Sequence, residues 1–461
     1  MNLNHIILPL ALLASGCATV APAAPAPANV AAPAMSIAAI SDAYIRLTLE
    51  AGTHEAEYVD AYYGPPALQE AAKAKPRSLA QLIAEARALT AAIDAALPSL
   101  RAESDRRRAV ALRGMLIAAG TRLQMLQGRK FAFNDEAQGQ FATVPDLKPL
   151  AHYDAILANL ETLIPGDGPL AARVDAFNER YIIPKDRLQM VFDAAIAECK
   201  RRTVQYIPLP AGETFVMEFV TGKPWSGYNY YKGSYKSLIQ INTDLPIRIS
   251  RAVDLGCHEG YPGHHVLNLM VEERLARKNG WKEYEVNPLY SPTSVLSEGS
   301  ANYGIDLAFP AAERLAFERD ILYPMAGLDP KSADAFWQMQ QMTEALSGAR
   351  LTIAKMYLDG VVARAQALAL TQKYLLLSPA RAEQSIKFTD HYRSYVINYG
   401  WGKDLVRDYI ERGNPDTTER WRRMEKILSE PTLPADLLPK PKCLPNQAAL
   451  LSSAGSPSAD C

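Results

Sequence analysis

The stretch Cys257–Val266 reads CHEGYPGHHV, and the course of the backbone through it decides what the rest of the chain must build. The chain has 7 histidines, and three of them, His258, His264 and His265, fall within these ten residues. Histidines that hold zinc from one helix stand four residues apart, as His-Glu-x-x-His, which puts both rings on one face. Here the residue four after His258 is Pro262. A proline inside a helix removes a backbone hydrogen bond and clashes one turn back, while Gly263 admits unusual dihedrals, so a kink or bulge is expected. Such a break brings His264 toward the place of a second ligand. In an unbroken helix His265, seven residues on, would instead return to the face of His258, about 10.5 Å along the axis. The residues alone leave both arrangements open.

Outward from this stretch the pattern is helical. Ser78 reads as an N-cap, followed by apolar residues at Leu79, Leu82, Ile83, Ala86, Leu89 and Ile93 and closed by Pro98. The segment 108–127 places Leu112, Met115, Leu116, Ala119, Leu123 and Leu126 on one stripe. Further helices are expected near 150–163, 186–202, 265–278, 293–308, 332–358 and 360–376. One segment alternates instead: in GSYKSLIQINT, Tyr235, Ser237, Ile239 and Ile241 fall on one side, the period of a strand. The preceding TGKPWSGYNYYKG reads as a loop with a sticky aromatic rim. The strand belongs to a small edge sheet able to accept an extended peptide.

A zinc ion bound by two histidines needs a third protein ligand and an open position for water. Glu298, in SPTSVLSEGSANYGIDLAF, lies on an expected helix starting near Pro292, where a buried carboxylate is costly unless paired or bound to a cation. HEGYPGHH and SEGSANYG together resemble the HExxPGHH and EGxAxY motifs of the bacterial family called domain of unknown function 885, regarded as zincin-like and related to helical gluzincin peptidases. The resemblance runs from about Phe131, in FAFNDEAQGQF, to Gly402 and is specific around the two motifs.

Carried over residue by residue, the resemblance implies that His258 and His264 ligate the metal, with His265 the alternative to His264. It makes Glu298 the third ligand and Glu259 the general base. Tyr399, in YVINYGWG, matches a Tyr-x-x-Gly step and is the expected oxyanion donor. Arg350 is a candidate for binding a substrate carboxylate. The chain departs from the family at Ser300, where Trp is usual, and after Arg350-Leu351, where TIAKMYLDG replaces an Asp-Thr-Gly-x-His segment. His54 and Cys257 read as structural residues. His391, near Arg393 and Tyr395, is a further candidate donor.

The 461 residues are 48% hydrophobic and 21% charged, which suits a globular body with a large core. A net charge of -1 gives no basic excess for nucleic acid or anionic lipid. The N-terminus MNLNHIILPLALLASGC has an apolar core too short to span a bilayer, and Leu13-Ala14-Ser15-Gly16-Cys17 resembles a bacterial lipobox, with Cys17 the lipidated residue. Residues 1–16 are therefore expected to be a signal peptide and 17–36 a lipidated, Ala/Pro-rich tether. A catalytic domain over 37–432 and a tail over 433–461 follow, and Cys443 and Cys461 are candidates for a disulfide. The expected fold is mainly α, a gluzincin-like helical metallopeptidase domain with a small edge β-sheet. The expected function is zinc-dependent hydrolysis with one Zn2+ per chain and a peptide substrate, on the periplasmic side of the envelope at the outer membrane, held by the lipid anchor only. The alternative is an inactive envelope lipoprotein that binds peptides or a protein partner.

Overall fold

The computed structural model describes residues 35–439 apart from Pro224. The signal peptide, Cys17, most of the tether and the Cys443–Cys461 pairing lie outside the described residues. Among the described residues the fold is mainly helical, as the sequence pattern predicts, with two small sheets where one was expected.

The helices that frame the site are α1 (Ile37–His54), α2 (Leu79–Ala96), α3 (Glu103–Leu126), α4 (Phe133–Phe141), α5 (Leu188–Thr203), α6 (Ser250–Leu255), α7 (His264–Met270), α8 (Pro292–Ala308), α9 (Ala349–Leu358), α10 (Pro379–Tyr392) and α11 (Ile397–Ile410). Ser78 caps α2 in a reciprocal box with Gln81, satisfying donors that a helix start leaves free. The predicted stripes face inward: Leu82, Ile83, Leu89 and Ile93 of α2 and Leu112, Met115, Leu116 and Leu123 of α3 are buried. Each such side chain is worth about 1.5–3 kcal/mol relative to an exposed one.

Strand β1 (Val59–Tyr62) pairs antiparallel with β5 (Val286–Pro288). The other sheet has the order β2-β4-β3, with β2 (Thr214–Val220) parallel and β3 (Gly227–Gly233) antiparallel to β4 (Lys236–Asn242). Ser237, Ile239 and Ile241 of β4 are buried, as their alternation predicts. Two expectations are corrected here. Part of TGKPWSGYNYYKG is not a loop, because Gly227–Gly233 forms an edge strand through main-chain pairing that its Gly and Asn content hides. Tyr235 is not in the strand but in its turn, where Ser234 and Tyr235 both have positive φ and Glu272 accepts from the Ser234 amide.

The expected single helix over 332–358 is two, Ala333–Glu344 and α9. The chain turns at Ser347-Gly348, where a β-carbon on Gly348 would lie 2.5 Å from the Tyr153 hydroxyl. The helical body also continues past residue 432, with Leu437 buried in the main core.

Helix α8 packs directly against α11. A β-carbon on Gly299 would sit 2.4 Å from the Gly402 carbonyl oxygen, so the two backbones touch where only glycine allows it. That contact seats Glu298 and the segment leading to Tyr399 side by side.

Candidate metal centre

His258 and His264 meet because the chain breaks between them. After α6 the backbone widens into a π-helical turn over Gly256–Gly260, then reverses through Tyr261-Pro262-Gly263 and starts α7 at His264. The reversal is tight: Gly263 N donates to Cys257 O at 3.0 Å, and a β-carbon at 263 would fall 1.8 Å from His258 O. Pro262 ends one helix and Gly263 permits the fold-back, which sets the two rings 4.6 Å apart, centroid to centroid.

Glu298 projects from α8 to complete a triad. Its Oε2 lies 3.4 Å from His258 Nε2 and 3.8 Å from His264 Nε2, and one donor atom from each of the three residues falls within 4.8 Å of the others. Donors sharing a zinc ion at about 2.0–2.2 Å in a tetrahedral array stand about 3.3–3.6 Å apart, so the spacing suits the ion. Two further observations fit. Glu298 Oε2 is buried without a hydrogen-bond partner among the described residues, although its other oxygen accepts from Tyr395 at 3.1 Å. Ser297 Oγ, 3.1 Å from His264 Nδ1, is placed to accept a proton there and leave Nε2 as the bare nitrogen.

His265, the alternative to His264, is placed elsewhere. Its ring is wholly buried, with Nε2 3.0 Å from Glu213 Oε2 and Nδ1 2.8 Å from Ser237 Oγ. A carboxylate only accepts, so Nε2 carries the proton and Nδ1 accepts from the serine. Both nitrogens are thereby committed to the β2-β4-β3 sheet and its flank.

Glu259 is 4% exposed, and its Oε2 also lacks a partner among the described residues. Burial raises its carboxyl to about 7, His258 opposing and Glu298 reinforcing. Burial likewise lowers His264 to about 4, keeping the ring neutral as a ligand must be. For Glu298, burial pushes upward but His258, His264 and Tyr395 outweigh it, so the carboxylate stays ionised. Gly227 of β3 makes room for Glu259, since a β-carbon there would be 2.9 Å from its Oε1.

These groups line one cleft of about 1400 Å³. Tyr399 and Arg350 line it too. Tyr399 is open to the cleft yet hemmed by its walls, which with Glu298 and Glu259 hold the phenol neutral. Arg350 faces no carboxylate among the described residues; desolvation lowers its pKa and Tyr399 opposes that. Ser300 is buried and donates to Ser297 O, packed inside α8. His391 pairs with Glu57 at the rim, and His54 binds the Arg77 carbonyl.

Three features escape the sequence reading. Asp60 of β1 lines the cleft with its carboxyl raised to about 7 by burial and then Glu298. Tyr395, one turn before the Tyr-x-x-Gly step at 399, donates to Glu298. Cys257 is bonded to Cys199 of α5 and is not a free buried thiol. No short motif announces that pair, because its members are 58 residues apart.

No protein-family model matches the chain, and no curated protein does. Solved structures similar to it include a protein assigned as a lipoprotein from Colwellia psychrerythraea, 14% identical over 88% of this chain and 75% of that one, with a TM-score of 0.49. A lipoprotein-class protein of unknown function from Shewanella oneidensis is 14% identical, covering 81% and 75% with a TM-score of 0.45. An M32 carboxypeptidase from Deinococcus radiodurans R1 is 14% identical, covering 87% and 92% with a TM-score of 0.37. At such scores the chemistry of the site has to be argued from its own geometry.

Proposed function

We propose that the protein is a zinc-dependent hydrolase of the zincin-like kind that the HExxPGHH resemblance implies, acting on peptide bonds. The observation that carries this reading is the convergence of His258, His264 and Glu298 beside a buried carboxylate, Glu259, that has an oxygen to spare. His258 Nε2, His264 Nε2 and Glu298 Oε2 would hold the metal. When bound, the ion supplies Lewis acidity, polarising a carbonyl and lowering the pKa of water. Glu259 takes the proton from the attacking water and returns it to the departing amine. Tyr399 donates to the carbonyl oxygen as charge builds there. Arg350 offers its charge to a carboxylate of the substrate. The free side of β3 along the cleft suits an extended peptide, which favours a peptide amide over other amides and esters.

The chain is exported in this reading and anchored through Cys17. No described helix is long and apolar enough to cross a membrane. The Cys199–Cys257 disulfide supports an oxidising compartment independently of the lipobox.

Metal content by mass spectrometry, set beside digestion of a peptide library by the wild type and Glu259→Gln, tests the reading. About one zinc per chain in both proteins, with cleavage by the wild type alone, is expected. Zinc without cleavage in either protein would leave the peptide-binding lipoprotein as the better account, and no zinc would remove the hydrolase.

A further inference from the structure

The stretch Phe131–Phe141, FAFNDEAQGQF, marks where the family resemblance begins, yet nothing in the proposed reaction uses it. Its structure gives it a task. Glu136, on α4, is wholly buried, and one short segment supplies its short hydrogen bonds: Arg393 Nε donates to Oε2 at 2.7 Å, while Ser394 N and Ser394 Oγ donate to Oε1 at 3.0 and 2.8 Å, with Gln140 Nε2 of the same helix farther off at 3.4 Å. A buried carboxylate persists only when so matched.

The segment it grips needs holding. Arg393 ends α10 at φ 53 and ψ −124, a region that a residue with a β-carbon seldom occupies and that surrounding contacts must impose. Two residues later Tyr395 donates to Glu298 Oε1 at 3.1 Å. The Tyr395 ring also packs edge-on against Phe141, at the other end of α4, with centroids 6.0 Å apart. One helix thus supplies both the charge that fixes the turn and the ring that fixes the phenol.

We propose that Glu136 is a positioning residue for the metal centre: by holding Arg393 and Ser394 it delivers Tyr395 to Glu298 Oε1 and so decides that Oε2 is the oxygen facing His258 and His264. This rests on the zinc-site reading above. A carboxylate whose second oxygen is tied down presents the first in one orientation, and loss of such outer contacts typically weakens metal binding about tenfold to a hundredfold.

The test is zinc affinity, by competition with a chromogenic chelator, together with melting of the metal-free protein. Glu136→Gln removes one of the acceptor oxygens, Tyr395→Phe removes only the hydroxyl, and Ser394→Ala is a milder cut at the same cradle should Glu136→Gln fail to fold. Each is expected to weaken zinc, about tenfold or more for the first two. Glu136→Gln/Tyr395→Phe is expected to bind no more weakly than Tyr395→Phe alone, because both changes break one chain of contacts. Lower melting with unchanged zinc affinity would make Glu136 merely structural and overturn the proposal. Fully additive losses in the double variant would do the same. If the wild type itself takes up no zinc, the hydrolase reading falls and this proposal with it; unchanged affinity in variants of a zinc-binding wild type overturns this proposal alone.

Discussion

Cys257, the residue immediately before His258, is joined by a disulfide to Cys199 of α5. The bond crosses from a regular helix to the π-helical turn that carries both His258 and Glu259, the least regular part of the site's framework. Both sulfur-bearing residues are fully buried, so the link is part of the core.

Removing that link should cost stability. It closes a separation of 58 residues, and disulfides over loops of this size contribute about 2–4 kcal/mol. Cys199→Ala/Cys257→Ala is expected to unfold at lower urea and with a steeper slope, since the unlinked unfolded chain exposes more surface, and reductant should lower the wild-type midpoint but not that of the variant. Equal midpoints for the two proteins without reductant would show that the bond adds nothing.

His264 and His265 are adjacent in sequence, but the first ring faces Glu298 and the second faces Glu213 and Ser237. His264→Ala, like His258→Ala and Glu298→Ala, is expected to weaken zinc binding by about tenfold or more. His265→Ala should keep zinc and instead lose about 1–3 kcal/mol of stability, since the buried Ser237 hydroxyl loses its acceptor and Glu213 keeps only Lys200 and Tyr261. Metal analysis paired with urea unfolding of the four variants checks this. Zinc lost from His265→Ala at full stability would reverse the assignment.

The split between those neighbours shows how far the sequence reaches. Pro262 and Gly263 announced a break, but a break alone does not say which ring it turns inward. That was decided by Glu213 and Ser237, which reach His265 from a sheet only half legible: the alternation Ser237-Ile239-Ile241 reported β4, whereas the Gly227–Gly233 strand hid behind turn-like composition. Glu298 was visible because a carboxylate inside an apolar helix asks for a partner. Tyr395 was not, because its contact spans 97 residues and depends on the Gly299–Gly402 approach, which no local pattern encodes.

Gly227→Ala should impair turnover without removing metal. The added β-carbon would stand 2.9 Å from both Glu259 Oε1 and Leu255 Cδ2, so the carboxylate must move while His258, His264 and Glu298 stay in place. A general base displaced by about 1 Å costs about a hundredfold in rate. The check is kcat/KM on a cleaved peptide with zinc content measured in the same preparation. Loss of zinc in step with activity would place the damage at the ligands instead.

Glu213 should make stability depend on acid in a defined window. Its carboxylate meets Lys200 Nζ at 2.6 Å through Oε1, and through Oε2 the Tyr261 hydroxyl at 2.6 Å and His265 Nε2 at 3.0 Å. Burial works against the charge, but His265, Lys200 and Tyr261 outweigh it and bring the pKa from 4.5 down to about 2. Because the folded value is the lower one, the unfolded chain binds more protons between the two pKa values. The contribution is therefore complete above about pH 4.5 and is lost as pH falls toward 2. Discounted for the solvent-open Lys200, it amounts to about 2 kcal/mol. Glu213→Gln, which also faces an amide nitrogen toward one of these donors, is expected to be less stable than the wild type by that order at pH 6. The gap should narrow steadily below pH 4.5 in urea titrations of both proteins. A gap of constant size from pH 6 down to pH 3 would show that Glu213 acts through packing and not through its charge.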